Sequence, residues 1–377
     1  MLLVTTVSGF VPQFEMNNVA LLQSFGYEVH YATNYTTPEY TGNNDRLNGT
    51  GIIRHQIDFS RNPFSTQNIR AYHQLKKLIT SETFELIHCH TPVGGVISRL
   101  VARKQLNTKV IYTAHGFHFY KGAPLKYWML FYPVEKWLAR YTDLLVTINS
   151  EDYKRASRFH YKDRGKAVII PGIGIDTNVT NNMSNNRQEM LDKLGISKDT
   201  IILTSVGELS KRKNHKVIFY VIQKLKRKFN ITYLLCGAGT LETELKELAA
   251  SLQIEENVRF LGFCNQIDEI LRITDVFVFP SLQEGLSVAV MEAMRAGLPI
   301  VCSNIRGNND LIEEGKGGHL VVPRDVDGFV KQIQDLILHS EKCDRMGRYN
   351  KDKIKDYDKA IVISKMRHIY KEVLELS

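Results

Sequence analysis

Long apolar runs and cysteine pairs are both missing from this 377-residue sequence. No apolar run reaches the ~18 residues that a membrane-spanning helix needs. The five cysteines are odd in number, form no C-x-x-C pair and stand mostly inside strand-like apolar runs. This pattern disfavours a disulfide framework or a zinc site and favours reduced thiols that act as small core residues. Met1 leads directly into the strand-like LLVTTV without a secretory signal, so we expect a cytoplasmic protein.

Extremes of composition are absent as well, since 43% of the residues are hydrophobic and 24% are charged. A chain of this length is too long for one ordinary core and suits two domains of roughly 180 residues each. The net charge of +9 is unevenly distributed. Through Asp176 there are 20 Lys and Arg against 13 Asp and Glu, a balance of +7, whereas the remainder has 29 against 27, or +2.

The basic first half predicts an anionic partner for that half of the chain. Nucleic acid is not expected, because the sequence has no recognition motif and no stripe of basic and aromatic residues. An anionic membrane surface and a phosphorylated acceptor both remain open, and so does an ordinary solvated basic surface.

Short runs rich in Val and Ile alternate with helical patterns along the whole chain, which predicts an α/β fold with two successive doubly wound parallel sheets. The seam between the two sheets is predicted in the Asn-rich stretch 171–188. The predicted strands are LLVTTV, YEVHYATN, FELIHCH, KVIYTAH, DLLVTIN and AVIIPGI in the first half, and IILTSVG, ITYLLCG, VRFLGF, VFVFPS, PIVCS and HLVVP in the second.

Ligands of doubly wound sheets bind outside the carboxyl ends of the strands, so the residues that follow strands are the candidates for a site. We expect the edges of the two sheets to face each other across one cleft. The residues that end or follow predicted strands are His90, His115, Gly207, Gly237, Gly262 and Glu284.

The stretch SLQEGLSVAVMEAMRAG, from Ser281 to Gly297, combines a helix start with two acids. Ser287 is a predicted N-cap, and a helix N-terminus after a parallel strand favours anions. Backbone amides near Gly285, Leu286 and Ser287 would bind phosphate oxygens, while Glu284 and Glu292 would accept hydrogen bonds from the hydroxyls of a ribose or hexose. The alternative is that both acids are merely solvated.

A second cluster, VGELSKRKNH, places Lys211, Arg212 and Lys213 after Gly207 at the start of the next predicted helix. Three cations there suit a pyrophosphate whose charge rises as it leaves, or else they form a solvated basic loop. CGAGT, at 236–240, has a G-x-G pattern without the third glycine or the following acid of a dinucleotide site. It therefore predicts a close turn near a ligand and not an NAD site.

Two patterns in the first half keep alternative interpretations. His115 and His118 in TAHGFHFY could bind a sugar or phosphate, or could satisfy a backbone carbonyl. The segment APLKYWMLFYPVEKWLARYT mixes aromatic side chains with Lys126, Lys136 and Arg140. It suits either a membrane interface or a core helix with an exposed basic side.

Four patterns of the second half together resemble one family, the retaining glycosyltransferases of family 4. They are VGELSKRKNH, the Gly-x-Gly turn, the E-G-L-S-x-x-x-x-E pattern and AGLPIV. Members of this family have the GT-B architecture, in which two Rossmann-like domains face a cleft. TAHGFHFYKGAPLKYWMLFYPVEKWLARYTD and IIPGIGIDT look most like the bacterial capsular and exopolysaccharide transferases. The resemblance implies an acceptor-side domain at 1–175, a nucleotide-sugar-binding domain at 176–355, and a helix at 356–377 that packs back toward the first.

The resemblance also implies the reaction and its partners. A hexose or N-acetylhexosamine would move from a nucleotide donor such as a UDP-sugar to a polyprenyl-pyrophosphate-linked sugar. The enzyme would be peripheral on the inner face of the cell membrane, against an anionic surface, and would need neither a cofactor nor a metal. No D-x-D metal motif stands at a predicted strand end. A nucleotide-sugar epimerase of the same architecture is the alternative function.

Individual roles follow from the matching positions. Glu284 would lie beside the donor sugar, Glu292 would bind the ribose, and Lys213 with Arg212 would bind the pyrophosphate. The implied catalytic residues are His115, Arg212, Lys213 and Glu284. The implied donor-binding residues are Gly207, Gly237, Gly262, Phe263, Gly285, Leu286, Ser287 and Glu292. Of these, Gly262 and Phe263 would contact the nucleotide base.

Two departures from the family pattern bear on these roles. Glu208 follows Gly207 where many members have arginine, so phosphate binding would depend on Arg212 and Lys213. The Gly-Gly loop after the first strand is reduced to Ser8-Gly9-Phe10, which leaves the contacts of that loop unassigned.

Overall fold

The computed structural model describes residues 1–37, 44–105, 107–178 and 187–375. Of the predicted seam at 171–188, residues 179–186 lie outside this described part of the chain. The chain divides into two compact units: unit 1 is Met1–Gly174 with Lys359–Ser377, and unit 2 is Ile175–Asp358. The domain roles implied by the resemblance stay predictions.

Unit 1 is built on a seven-stranded sheet whose neighbouring strands are all parallel. Its strands are β1 (Leu2–Val7), β2 (His30–Asn34), β3 (Ile53–Gln56), β4 (Leu86–His90), β5 (Lys109–Ala114), β6 (Leu144–Thr147) and β7 (Lys166–Ile169). Its α-helices are α1 (Met16–Ser24), α2 (Gln67–Ser81), α3 (Pro92–Ala102), α4 (Leu125–Leu138), α5 (Ser150–Ala156) and, from the end of the chain, α14 (Lys359–Glu375). Short helical turns span Val11–Glu15, Asn44–Leu47 and Ala139–Tyr141.

Unit 2 contains a six-stranded parallel sheet. Its strands are β8 (Ile201–Val206), β9 (Ile231–Cys236), β10 (Val258–Gly262), β11 (Val276–Phe279), β12 (Ile300–Ser303) and β13 (Gly318–Val321). Its α-helices are α6 (Arg187–Lys193), α7 (Lys216–Leu225), α8 (Glu242–Ser251), α9 (Ile267–Ile273), α10 (Val288–Ala296), α11 (Asn308–Leu311), α12 (Val326–Leu338) and α13 (Ser340–Lys353). Short turns span Glu255–Asn257 and Ile354–Tyr357.

Both sheets are doubly wound. The strand order is β3-β2-β1-β4-β5-β6-β7 in unit 1 and β10-β9-β8-β11-β12-β13 in unit 2. The order reverses between β1 and β4 and again between β8 and β11, and such a reversal is where ligands of these folds bind. The prediction of two Rossmann-like doubly wound domains is therefore confirmed, and every predicted strand is present.

Each sheet is buried in its unit because its strands have apolar side chains on both faces, and helices pack against them. All six residues of β1 and of β9 are buried. The amphipathic helix α7 covers unit 2 with Val221, Ile222 and Leu225, and each such side chain contributes about 1.5–3 kcal/mol on full burial. Helix α14 packs within unit 1, where the Tyr370 hydroxyl lies 2.8 Å from Nδ1 of His88 in β4.

The helices carry no membrane span within the described ranges. None of the helices there is long and apolar enough to cross a bilayer.

Candidate functional site

The candidate site of unit 2 is centred on Glu284, which lies in the loop after β11. Its Oε1 atom accepts hydrogen bonds from Nη1 of Arg212 at 2.8 Å and from Nζ of Lys213 at 2.9 Å. The two cations lie in the turn after β8, four and three residues before α7 begins. Because β8 and β11 are neighbours at the reversal of strand order, their carboxyl ends bring these three side chains together.

Close packing fixes the lysine of this cluster. Lys213 is only 9% exposed, and its Nζ lies 4.6 Å from the centroid of the Phe279 ring. A Cβ atom on Gly207 would lie 2.9 Å from Cε of Lys213, so a glycine at this strand end leaves room for the lysine. Asn214 braces the same turn by donating through Nδ2 to the carbonyl oxygens of Pro280 and Pro323, at 3.0 and 2.8 Å.

The three charged groups determine one another's ionisation. Burial by itself would raise the pKa of Glu284, but the positive charges of Lys213 and Arg212 hold that pKa below its usual value. Burial lowers the pKa of Lys213, and Glu284 opposes that shift. The carboxylate is thus ionised, and two cations against one anion leave a net positive site that can bind a phosphate.

The N-terminus of α10 offers a second set of anion-binding groups beside Glu284. Ser287 is the N-cap as predicted, and its side chain accepts from the Val290 N–H. Within the described part of the chain, the backbone N–H groups of Gly285, Leu286 and Ser287 have no hydrogen-bond acceptor. Free N–H groups at a helix N-terminus attract phosphate oxygens. The helix ends at Gly297, also as predicted.

Arg306 is a further residue of this site, and the sequence analysis missed it. It is 5% exposed and donates through Nε to the carbonyl oxygen of Glu284 at 3.0 Å, which fixes the backbone of the Glu284 turn. A Cβ atom on the next residue, Gly307, would lie 2.4 Å from the carbonyl oxygen of Gly285. Arg306 follows β12, so the search of strand ends would have found it.

Glu292 lies in α10 and makes no contact with the charged cluster. Burial raises its pKa to about 7; Arg295 opposes this shift and Asp268 adds to it. Among the residues that the structure describes, no hydrogen-bond or ion-pair partner contacts its carboxylate. A half-buried carboxylate of this kind suits ligand hydroxyls as donors, so the ribose assignment stays a prediction with a physical basis.

The predicted glycines of unit 2 lie together at adjacent strand ends. The Gly237 N–H donates to the carbonyl oxygen of Gly262 at 2.7 Å, and a Cβ atom on Gly237 would lie 1.9 Å from the carbonyl oxygen of Gly207. Any larger residue at 237 would push these loops apart. Phe263 is 68% exposed, and its role at the nucleotide base stays a prediction.

The carboxyl edge of the unit 1 sheet carries a different cluster. Nε2 of His115, after β5, lies 3.2 Å from Nδ1 of His90 at the end of β4. Oε1 of Glu15 lies 3.5 Å from that His90 atom and 3.8 Å from the same His115 atom. The ring of Phe10, from the reduced loop after β1, packs edge-on against His115 at 4.9 Å. The structure thus places the predicted catalytic His115 in unit 1.

Burial keeps this cluster neutral. It raises the pKa of Glu15 to about 8, with an opposing hydrogen bond from Asn18. Burial also lowers the pKa of His115 to about 4 and that of His90 well below its usual value, with His88 and His115 adding to the His90 shift. Glu15 stands in PQFEMNN, where no motif marks it, so the sequence offered no signal for it.

Glu15, His90 and His115 are also the candidate metal ligands within the described ranges, since their donor atoms all lie within 4.8 Å of one another. One carboxylate and two imidazoles form a ligand set that zinc accepts. Binding would require Glu15 to lose the proton that burial favours.

The segment predicted as either a core helix or a membrane interface has features of both. Trp128, Phe131 and Tyr132 of α4 pack against the core of unit 1. On the same helix Leu125 is 72% and Met129 is 66% exposed. His118 packs against Phe131, with ring centroids 4.6 Å apart.

Two family models match the chain: Glycosyltransferase Family 4 over residues 17–179 and Glycosyl transferases group 1 over residues 186–353. The putative glycosyltransferase EpsD of Bacillus subtilis is 36% identical over 376 residues, which cover 98% of this chain and 96% of that protein.

A second relative is the UDP-Gal:alpha-D-GlcNAc-diphosphoundecaprenol alpha-1,3-galactosyltransferase of Escherichia coli. It is 29% identical over 324 residues, which cover 81% of this chain and 83% of the relative. Among solved structures, Alr3699/HepE of Anabaena in complex with UDP is similar with a TM-score of 0.79 at 16% identity, over 98% of this chain and 99% of that one. This last likeness concerns the fold.

Proposed function

The chain belongs to the family 4 glycosyltransferases, and on that basis we propose that it is a retaining, metal-independent hexosyltransferase. It moves a hexose or N-acetylhexosamine from a UDP-sugar to a polyprenyl-pyrophosphate-linked sugar. The observation that carries the proposal is the cluster of Arg212, Lys213 and Glu284 beside the N-terminus of α10. This cluster has the charge and the hydrogen-bond donors that a sugar pyrophosphate requires.

Donor binding is assigned to unit 2. Arg212, Lys213 and the amides from Gly285 to Ser287 bind the pyrophosphate, and Glu292 accepts the ribose hydroxyls. The Escherichia coli relative is named for UDP-Gal, and the Anabaena structure contains UDP, which supports a uridine nucleotide as the carrier.

The mechanism is a same-face substitution. A double displacement needs a carboxylate nucleophile under the anomeric carbon, but Glu284 accepts two cationic donors on one oxygen, which weakens it as a nucleophile. The bond from the anomeric carbon to the pyrophosphate breaks, and the acceptor hydroxyl attacks from the same face. The leaving phosphate oxygen takes the hydroxyl proton while Lys213 and Arg212 stabilise its growing charge.

The acceptor is assigned to unit 1. The Escherichia coli relative is named for an acceptor on diphosphoundecaprenol, which supports a polyprenyl-linked sugar. The +7 balance through Asp176 supports an anionic membrane surface as a partner, since each basic residue near such a surface contributes about 1 kcal/mol. We place the protein on the inner face of the cell membrane, in capsular or exopolysaccharide synthesis.

A donor screen tests the proposal. Purified protein is incubated with a panel of UDP- and GDP-sugars, and release of free nucleotide is measured with and without a lipid-linked sugar acceptor. We expect one UDP-sugar to be consumed faster with acceptor, and NMR of the product to show that the anomeric configuration of the donor is kept. Inversion would contradict retention. Release of free epimerised sugar without any acceptor would favour the epimerase alternative.

A further inference from the structure

Unit 1 contains a cavity of about 950 Å³, which is lined by residues between Thr6 and Glu135. The volume lies within the ~300–1,000 Å³ of pockets that bind small molecules. Helices α2, α3 and α4 form its wall together with the loops after β1, β3 and β5. The lining is mainly aliphatic and aromatic and includes Tyr72, Val93, Ile97, Leu100, Leu130 and Phe131.

The two ends of the cavity differ in polarity. At one end Thr6, Thr91 and His115 line it at the carboxyl edge of the sheet. At the other end the lining side chains Phe64 and Ile69 are 74% and 62% exposed. These two side chains stand among the polar lining residues Arg61, Ser65, Thr66 and Asn68. Exposed apolar side chains of this size nevertheless suit a ligand whose apolar part continues outside the protein.

Two residues of the described lining carry a formal charge, the exposed Arg61 and the buried Glu135. Glu135 is the acidic residue of the described lining, and its Oε2 accepts from Nη1 of the fully buried Arg99 at 2.8 Å. The Arg99 guanidinium also stacks on Tyr112 at 4.0 Å. The charge of Glu135 is therefore compensated inside the fold, and the mainly apolar lining apart from Arg61 favours hydrocarbon.

Helix α4, which lines the cavity through Leu130 and Phe131, also has apolar side chains on its outer surface. Leu125, Met129 and Trp137 are exposed there, with the exposed Lys126 and Lys136 on the same helix. Apolar side chains with basic neighbours are typical of a helix at the surface of an anionic bilayer. Helix α4 thus offers apolar contacts for a hydrocarbon chain both on its surface and in the cavity.

We propose that this cavity binds the polyprenyl chain of the acceptor, with the pyrophosphate-linked sugar at the His115 end. The inference rests on the proposed function, which makes the acceptor lipid-linked. It adds that the enzyme extracts the first isoprene units from the membrane into unit 1, and so recognises the lipid itself as well as the sugar that it carries.

Binding of diphosphates with tails of increasing length tests this inference without any sugar transfer. Isothermal calorimetry compares inorganic pyrophosphate with isopentenyl, geranyl and farnesyl diphosphate. We expect the affinity to rise by about tenfold or more with each isoprene unit, since every buried methylene favours binding. Val96→Trp and Leu100→Trp, at half-buried positions of the lining that have room for a larger side chain, should remove this gain.

The matched control is Leu338→Trp, which changes a 59% exposed leucine of α12 in unit 2 and should keep the gain. UDP affinity should be unchanged in all three variants, which also verifies that they fold. An affinity that does not depend on tail length would overturn the inference. So would a gain that survives in both cavity variants, or one that Leu338→Trp abolishes.

The outcome is separable from that of the proposed function. Graded binding that the two cavity variants abolish supports the cavity assignment even if no sugar is transferred, in which case the proposed reaction fails alone. Transfer to a lipid-linked sugar with the same KM for short and long tails would support the reaction and overturn the cavity assignment.

Discussion

Units 1 and 2 have the same winding but opposite chemistry at the carboxyl ends of their strands. In unit 2 the edge carries an ionised carboxylate between two cations, Arg212 and Lys213. In unit 1 the edge carries Glu15, His90 and His115, which burial keeps neutral. The shared topology selects the place of a site, whereas the residues at that place decide whether its protein groups are charged or neutral.

The difference follows from whether cationic side chains surround the buried carboxyl group of each unit. Taking a charge out of water costs several kcal/mol unless a partner of opposite charge replaces the water. Glu284 has two such partners and stays ionised, while Glu15 has only neutral neighbours and favours its proton. A neutral edge also suits the apolar cavity beside it, because a hydrocarbon chain that covered an uncompensated charge would remove the water that solvates it.

The largest effect is expected from the cations of unit 2. Lys213→Ala and Arg212→Ala should each lower kcat by roughly 10²–10³-fold, the usual loss when one donor to a developing negative charge is removed. Affinity for the sugar nucleotide should fall less, because the charge on the leaving group grows only in the transition state. Steady-state kinetics with calorimetry of UDP binding separates the two losses.

Lys211→Ala is the control for this prediction, since Lys211 is an exposed neighbour in the same turn. It should leave both quantities nearly unchanged. Equal losses of kcat and affinity in the Lys213 and Arg212 variants would mean that these cations only bind the ground state. If neither variant differs from the wild type, the phosphate site lies elsewhere.

The same comparison shows what a sequence can and cannot predict. Strands such as ITYLLC are fully buried and read as continuous apolar runs, so they were predictable. The strand β3 was missed because IRHQ is short and lies at an exposed edge of the sheet, without an apolar pattern. The Arg212–Lys213–Glu284 contact joins segments more than seventy residues apart, and only the adjacency of β8 and β11 brings them together.

The second prediction concerns Glu292, the uncompensated acid of unit 2. Glu292→Ala should weaken UDP binding by about 1.5–3 kcal/mol, the contribution of hydrogen bonds to a charged acceptor. Because burial raises the pKa of this carboxyl to about 7, the ionised acceptor is lost as the pH falls through that value. UDP affinity of the wild type should therefore decrease with falling pH, and Glu292→Gln should flatten the profile.

Glu247→Ala, which removes an exposed acid of α8, serves as the comparison variant and should bind UDP as the wild type does. Calorimetry across the pH range gives both measurements. Unchanged affinity in Glu292→Ala would remove the ribose assignment, and a pH profile that survives in Glu292→Gln would assign the titration to another group.

The third prediction tests the surface of unit 1. Lys126, Lys136 and Arg140 are exposed on and just after α4, and each should contribute about 1 kcal/mol near an anionic bilayer. Co-sedimentation with liposomes should require anionic lipid, decrease with salt and drop when all three become Gln. A matched triple change of exposed lysines in unit 2, Lys198, Lys216 and Lys331 to Gln, should have a smaller effect. Binding that does not depend on lipid charge would favour the alternative interpretation of α4, a core helix with an exposed basic side.

The smallest effect is expected from metal removal. This experiment also tests whether the cluster of Glu15, His90 and His115 in unit 1 binds a metal ion. If Arg212 and Lys213 stabilise the leaving pyrophosphate, the reaction should run at its full rate in excess EDTA. Activity lost to EDTA and restored by Mg²⁺ or Mn²⁺ would contradict the metal-free mechanism. Restoration by Zn²⁺ would instead point to Glu15, His90 and His115, whose donor atoms lie close enough to share an ion. Glu15→Gln distinguishes these cases, since the amide is a poor zinc ligand yet suits the neutral cluster, and it should keep full activity if no metal takes part.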